Sequence, residues 1–248
     1  MKPTPAKPGD SAEIVSLVRG GFPSHLMEGL IYGTSGIHHF IEDQLRLAAL
    51  SPYRYRVIRG EDGLVGAAEF RILGDALFLN YVAVRPDHLR RGLALELISD
   101  MRKEASREGL QRLVLDVFTH NEIAINWYVN KWGMDQGEVC RAWVAPQVPD
   151  EFASPYLIAD FSQAEAIHQK LGFSEITLVG GPAPIRVGRL GARFFRIAGP
   201  DLAADPRLRA TLAVLDPDRS LLILAPGGHP GQPGWDPLYA TQRLQTTI

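Results

Sequence analysis

Hydrophobic positions along the chain form two helical stretches, then a run of strands, then an alternation of helices and strands. Ile14, Val15, Leu17 and Val18 suit the packed face of a helix that Ser11 can cap and that runs to about residue 19. A second helix is predicted near 36–50, where Ile37, Phe40, Ile41, Leu45 and Leu47 are spaced for burial and Ser51-Pro52 stops the pattern. Residues 53–59 alternate, 60–63 (Gly-Glu-Asp-Gly) is turn chemistry, 64–73 reads as a strand, and Gly74-Asp75 is another turn. Residues 76–84 are mostly apolar, the pattern of a central strand.

Arg85-Pro86 ends that strand, and 92–107 is helical: Ala94, Leu97, Ile98, Met101 and Ala105 fall on one stripe, with Gly109 as a cap. A strand at 113–118, a helix at 121–131 and a strand at 137–144 follow. The β-α-β-α-β order predicts crossover helices between neighbouring parallel strands. The proline-rich stretch 146–155 is the best internal boundary, which divides the chain into regions 1–148 and 149–248. Beyond it the pattern gives a strand (156–160), a helix (163–171), strands (173–179, 185–189, 193–198), a short helix (206–215) and a strand (220–224). Residues 226–237 hold four prolines and four glycines and read as a loop or an arm. The fold class is α+β (α/β): a mixed sheet flanked by helices, with a smaller C-terminal α/β segment.

Composition narrows the function classes. At 248 residues, 46% hydrophobic and 22% charged, the chain is globular, and its length fits one large domain or two small ones. A formal charge of −2 argues against a dedicated nucleic-acid binder. The single cysteine, Cys140, allows no internal disulfide and reads as a small buried apolar residue. No Cys/His cluster has zinc-ligand spacing, so no metal is expected. No apolar run approaches a membrane span, and the first residues lack an apolar signal core, so a cytoplasmic protein off the membrane is expected.

The informative stretch runs from Val82 to Ala94. A strand leads through Pro86 into a turn whose Gly92 and Ala94 open an amphipathic helix. Small residues let a ligand approach the backbone, and first-turn N–H groups have no partner within the helix. With the helix dipole behind them and Arg90 and Arg91 alongside, they can hold a diphosphate. The same small-residue start also serves plain helix packing. Neither the P-loop string nor the Gly-x-Gly-x-x-Gly fingerprint is present.

Val84, Pro86, Gly92 and Ala94 resemble motif A of the GNAT superfamily, the acyl-CoA-dependent N-acetyltransferases: an apolar strand ending in Val-x-Pro, then Gln/Arg-x-x-Gly-x-Gly/Ala at a helix start. Leu89 stands where Gln or Arg is usual. Asn121-x-x-Ala124-x-x-x-Tyr128, followed by Gly133-Met134, resembles motif B, with Gly133 one residue late and Met134 in place of Phe. The resemblance covers roughly residues 11–145.

It implies a splayed central sheet, acetyl-CoA as co-substrate, and direct transfer of acetyl to a primary amine on a small molecule or peptide. Val82, Ala83 and Val84 would pair with the pantetheine arm as an added strand does. An N–H near Val82 or Ala83 would polarise the thioester carbonyl. Leu89, Arg90, Arg91, Gly92, Leu93 and Ala94 would surround the diphosphate. Asn121 would contact pantetheine, and Tyr128 would protonate the departing thiolate. Glu69, in mid-strand beside the central strand, is the candidate base, with Asn80 and His120 as fallbacks. Two other readings stand beside the enzyme: a non-catalytic CoA-binding interaction module, and a transferase for a longer acyl group.

The C-terminal region carries an echo. Ala164-x-x-x-His168-x-x-x-Gly172-Phe173 has the spacing of motif B, with His168 at the tyrosine position. Residues 150–225 therefore read either as a degenerate GNAT half without cofactor binding or as a chance likeness. Such a half could extend the sheet, shape the acceptor cleft, or make a homodimer.

Overall fold

The computed structural model describes residues 2–147, 153–228 and 234–248. The elements in chain order are β1 (Thr4–Pro5), α1 (Ser11–Gly21), α2 (Ser24–Met27), α3 (Ile37–Leu47), β2 (Tyr53–Gly60), β3 (Gly63–Leu73), β4 (Ala76–Val84), α4 (Leu93–Arg107), β5 (Arg112–Phe118), α5 (Glu122–Trp132) and β6 (Asp135–Ala145). They continue with β7 (Leu157–Ile158), α6 (Phe161–Leu171), β8 (Phe173–Val179), β9 (Ile185–Leu190), β10 (Phe194–Ile197), α7 (Pro200–Ala203), α8 (Pro206–Leu215), β11 (Ser220–Pro226) and β12 (Asp236–Thr247). Short 3-10 turns lie at Ile31–Gly33, Ala48–Leu50 and Pro86–His88. Parts of the expected boundary at 146–155 and of the arm at 226–237 lie outside the described residues.

Two compact units form: Met1–Ser24, His38–Glu138 and Thr241–Ile248 make unit one, while His25–Ile37 and Val139–Ala240 make unit two. In unit one β1 to β4 pair antiparallel in sequence order, β4 and β5 pair parallel, and Thr241–Thr247 of β12 pairs antiparallel with β5. The parallel step is the one that α4 bridges, as the β-α-β order requires. α4 lays Leu93, Leu97, Ile98, Met101 and Ala105 into the core with Ile58, Phe70, Leu77, Leu79, Leu113 and Leu115. Each large side chain there contributes about 1.5–3 kcal/mol on burial. Arg56, buried on β2, fixes the same helix through Asp100 (2.9 Å) and Glu104.

Several expectations shift. Asp10, not Ser11, precedes α1, and it makes no side-chain cap; its carboxylate accepts from Lys7 N and pairs with Arg59. The second helix ends at Leu47 and tightens into the 3-10 turn Ala48–Leu50. The strand expected at 156–160 is only Leu157–Ile158. The neighbour of β5 after β4 is β12, which arrives from the far end of the chain, and not β6.

Unit two repeats the plan. β7, β8, β9 and β10 pair antiparallel in order, β10 pairs parallel with β11 across α7 and α8, and Cys140–Ala145 of β6 pairs antiparallel with β11. Its helix α6 lies between β7 and β8, as α1 to α3 lie between β1 and β2. α6 therefore matches the helices that open the repeat. The motif B spacing through His168 is corrected on that ground: the helix has the wrong place in the topology.

Beneath α6 sits a buried polar cluster. Arg189 donates to Glu165 (2.7 Å), Arg219 pairs with Asp216 (2.7 Å), and Arg219 Nη2 lies 3.3 Å from His168 Nε2. Burial, then Arg189 and Arg219, lower the pKa of His168, against a weaker pull upward from Glu165. The unfolded chain therefore takes up a proton on His168 before the folded chain does. The stability this lends is present above about pH 6.5 and is lost as pH falls through the lower folded value. Urea titrations between pH 7.5 and 5 should show declining stability, and His168→Gln should flatten that decline. An unchanged slope in the variant would remove His168 as the cause.

Candidate active site

β4 and β5 are in register only from Ala76↔Arg112 to Leu79↔Leu115, although β4 runs on to Val84 and β5 to Phe118. The parting has a local cause. On the other side of β4, Phe70 faces Leu79 while Glu69 faces Tyr81, so Asn80 is an extra, bulged residue. A bulge bends its strand and sharpens the twist. Past the bulge β4 stays paired with β3 through Val84↔Gly66, and its opposite edge is open. Arg85 N–H donates to Val65 O (2.9 Å). By strand alternation Ala83 also faces β3, while Val82 and Val84 turn their N–H and C=O groups into the gap. Of the two amides expected to polarise a thioester, Val82 is therefore the one that faces the open side.

Beyond β4 the 3-10 turn Pro86–His88 is braced by Arg85, which grips Asp87 at 2.7 and 3.0 Å, and by His88 Nδ1 at 2.9 Å from the same carboxylate. The Arg85 hydrogen bonds, then His88, hold Asp87 well below the usual carboxylate range. Leu89 is 56% exposed, so no contact of its side chain replaces the polar residue usual in motif A. Arg90 (φ +61) and Gly92 (φ +79) both adopt the left-handed conformation. Such reversals turn successive N–H groups to one side, the geometry of an anion nest. Gly92 caps α4, its carbonyl accepting from Glu96 N (3.0 Å). Leu93 is buried and anchors the helix start. The first-turn N–H groups of Leu93, Ala94 and Leu95 have no carbonyl one turn back within α4. Among the described residues, Arg90 and Arg91 are exposed and make no ion pair.

α5 supplies the remaining sequence candidates. Asn121 is its cap, and Oδ1 accepts from Ala124 N (3.1 Å), which leaves the amide end of the side chain for a ligand. Tyr128 is 6% exposed and packs edge-on against Trp127. Burial raises its pKa, so the hydroxyl keeps its proton throughout the neutral range. The late glycine is accommodated: Gly133 (φ +59) closes the helix by donating to Tyr128 O, and Met134 is buried in the core.

Glu69 is 1% exposed and accepts a hydrogen bond from Asn80 Nδ2 (2.8 Å). Tyr55 lies opposite it on β2. Burial, and then the Glu69 carboxylate, push the Tyr55 pKa upward. Glu69 and Asn80 thus come together, while His120 lies after β5, stacked on Phe118. Sequence reasoning missed Tyr55, the Asn80 bulge and Phe22, whose ring meets Tyr81 (5.9 Å) and Phe118 (6.1 Å) across the gap. Among the described residues no group of three or more potential metal ligands assembles, and no helix is long and apolar enough to cross a membrane.

A parallel pair that opens beyond a bulge thus leaves a free strand edge that leads into an amide nest at a helix start. Residues 27–134 match the acetyltransferase (GNAT) family profile, so over those residues the chain carries a GNAT acetyltransferase domain, which is an acyltransferase domain. A search of curated proteins returns no match. Among solved structures, a tandem GNAT protein from the clavulanic acid biosynthesis pathway, solved without AcCoA, is similar over 99% of this chain and 98% of its own, with TM-score 0.62 and 13% identity. An acetyltransferase candidate from Pyrococcus horikoshii covers 99% and 89% (TM-score 0.59, 10% identity). Another, from Thermoplasma acidophilum, covers 100% of both chains (TM-score 0.54, 13% identity). At these identities the likeness is one of fold, and it extends to the repeated plan of unit two.

Proposed function

We propose that the chain transfers acetyl from acetyl-CoA to a primary amine, by direct attack, in unit one. The observation that carries this reading is the open edge of β4 running into the nest at Arg90–Ala94. The diphosphate takes the nest N–H groups with Arg90 and Arg91, and pantetheine pairs with Val82 and Val84 and meets the Asn121 amide. The Val82 N–H stabilises the charge that develops on the thioester oxygen. As the amine nitrogen bonds to the acyl carbon and the C–S bond breaks, Glu69 receives the amine proton and Tyr128 gives its own to sulfur.

In this reading unit two binds no carrier. All four residues of β10 pair with β11, so its sheet does not open where that of unit one does. The start of α8 is capped by the Asp205 carboxylate, which accepts from Arg207 N (2.8 Å) and Leu208 N (3.3 Å), with Pro206 next in line. An anion there repels a diphosphate, and the N–H groups it would use are already engaged. Tyr156 donates to Asp205 (2.7 Å) and lies under the Arg207 guanidinium, which fills the position. Calorimetry should therefore give one CoA per chain, and acetyl-CoA should release free thiol only when an amine is present. A stoichiometry of two would refute the closed second unit, and release independent of amine would refute the acceptor class.

A further inference from the structure

We propose that the acceptor is a primary amine carried on an apolar, aromatic body, recognised by the rings that flank the opening between β4 and β5. This rests on the acyl-transfer reading above. Phe22 follows α1 directly, and its ring stands edge-on to Tyr81 of β4 and to Phe118 at the end of β5, so one side chain spans the two strands after they part. His120 stacks on Phe118 at 5.5 Å. Phe22, Tyr81 and Phe118 are all partly exposed and His120 is exposed, so the group is a surface available to a ligand.

The charges on this face select further. Strand register places Glu69 beside Tyr81, the only carboxylate that β3 and β4 turn to the same side. Asp116, which alternation puts on the Phe118 side of β5, is already gripped by Arg243 (2.9 Å). A single carboxylate behind several rings suits one ammonium, which aromatic faces attract, attached to a flat apolar group. A polyamine or an aminoglycoside would bring further cations, and β3 and β4 offer them no second carboxylate.

The test uses the full chain. With acetyl-CoA saturating, thiol release is measured with 2-phenylethylamine, spermidine and glycine amide as acceptors. The expected order puts 2-phenylethylamine about 10-fold or more ahead in kcat/KM. Phe22→Ala and Phe118→Ala should raise its KM about 5- to 10-fold, with kcat changed far less and CoA affinity retained. Phe22→Leu, which keeps apolar volume without a ring, should fall between, and a CoA titration of each variant shows that it is folded. Preference for spermidine or glycine amide, or an unchanged KM in both alanine variants, would overturn the proposal. Calorimetric titration of the CoA-loaded chain with 2-phenylethylamine separates the two readings: binding without turnover faults the acyl-transfer reading and leaves the recognition surface standing, and no binding faults the surface.

Discussion

Replacing Gly92 by glutamate should weaken CoA binding at least about 100-fold by calorimetry, the largest loss expected from any single change in the nest. Two costs combine. Gly92 has φ +79, and a side-chain-bearing residue forced into that conformation costs about 1–2 kcal/mol. A carboxylate near the diphosphate adds repulsion of about 1 kcal/mol per charge pair in water, and up to about 4 kcal/mol near a protein surface. Gly92→Ala separates the two costs. No heavy atom lies within 4 Å of where its Cβ would sit, so alanine meets only the backbone cost and should lose several-fold in affinity. A carboxylate at the N-cap also favours the helix dipole, so α4 should survive the change. Wild-type affinity in Gly92→Glu would put the diphosphate elsewhere on the molecule.

The nest was legible because its chemistry is local. A glycine that must turn left-handed, a proline that ends the strand and an apolar stripe at helical spacing are all set within a few residues, and each appears where the pattern puts it. β4 was legible too, since a strand packed on both faces reads as an apolar run. Its bulge was not. Asn80 is one polar residue in that run, and nothing in the alternation says that it, and not a neighbour, is the extra one. The consequence is large, because the bulge opens the sheet and also turns the Asn80 amide onto Glu69.

β12 was missed for another reason. Leu244 is its one fully buried side chain, and Gln242, Arg243, Gln245 and Thr246 give a polar segment that follows a glycine- and proline-rich stretch. Pairing with β5, whose Phe118 and Arg112 face Thr241 and Thr247 from far upstream, stabilises this strand, and local propensity carries no trace of so distant a partner. α6 shows the converse error. Its Ala-x-x-x-His-x-x-x-Gly-Phe spacing is that of any short helix packed by an alanine and ended by a left-handed glycine, here Gly172 at φ +75. Only the strand order around it shows which helix of the repeat it is.

Tyr128→Phe should lower kcat about 100- to 1,000-fold at neutral pH and leave CoA affinity within about twofold, the signature of a lost proton donor. The packing argument protects the binding term. The ring sits in the core against Trp127, and phenylalanine fills the same space, so α5 and the Asn121 cap should stay in place. The protonation argument fixes the pH dependence. Burial raises the Tyr128 pKa above its ordinary value near 10, so the donor stays loaded from pH 6 to 9, and no basic limb in that range belongs to it. A thiol leaves as an anion with a pKa near 8.5. Tyrosine is the weaker acid, so the transfer to sulfur is uphill, starts only as the C–S bond breaks, and is completed when the phenolate left behind regains a proton from solvent. Loss of rate with loss of CoA affinity in the same proportion would mark Tyr128 as a packing residue. An unchanged kcat would mean that the thiolate departs without its help.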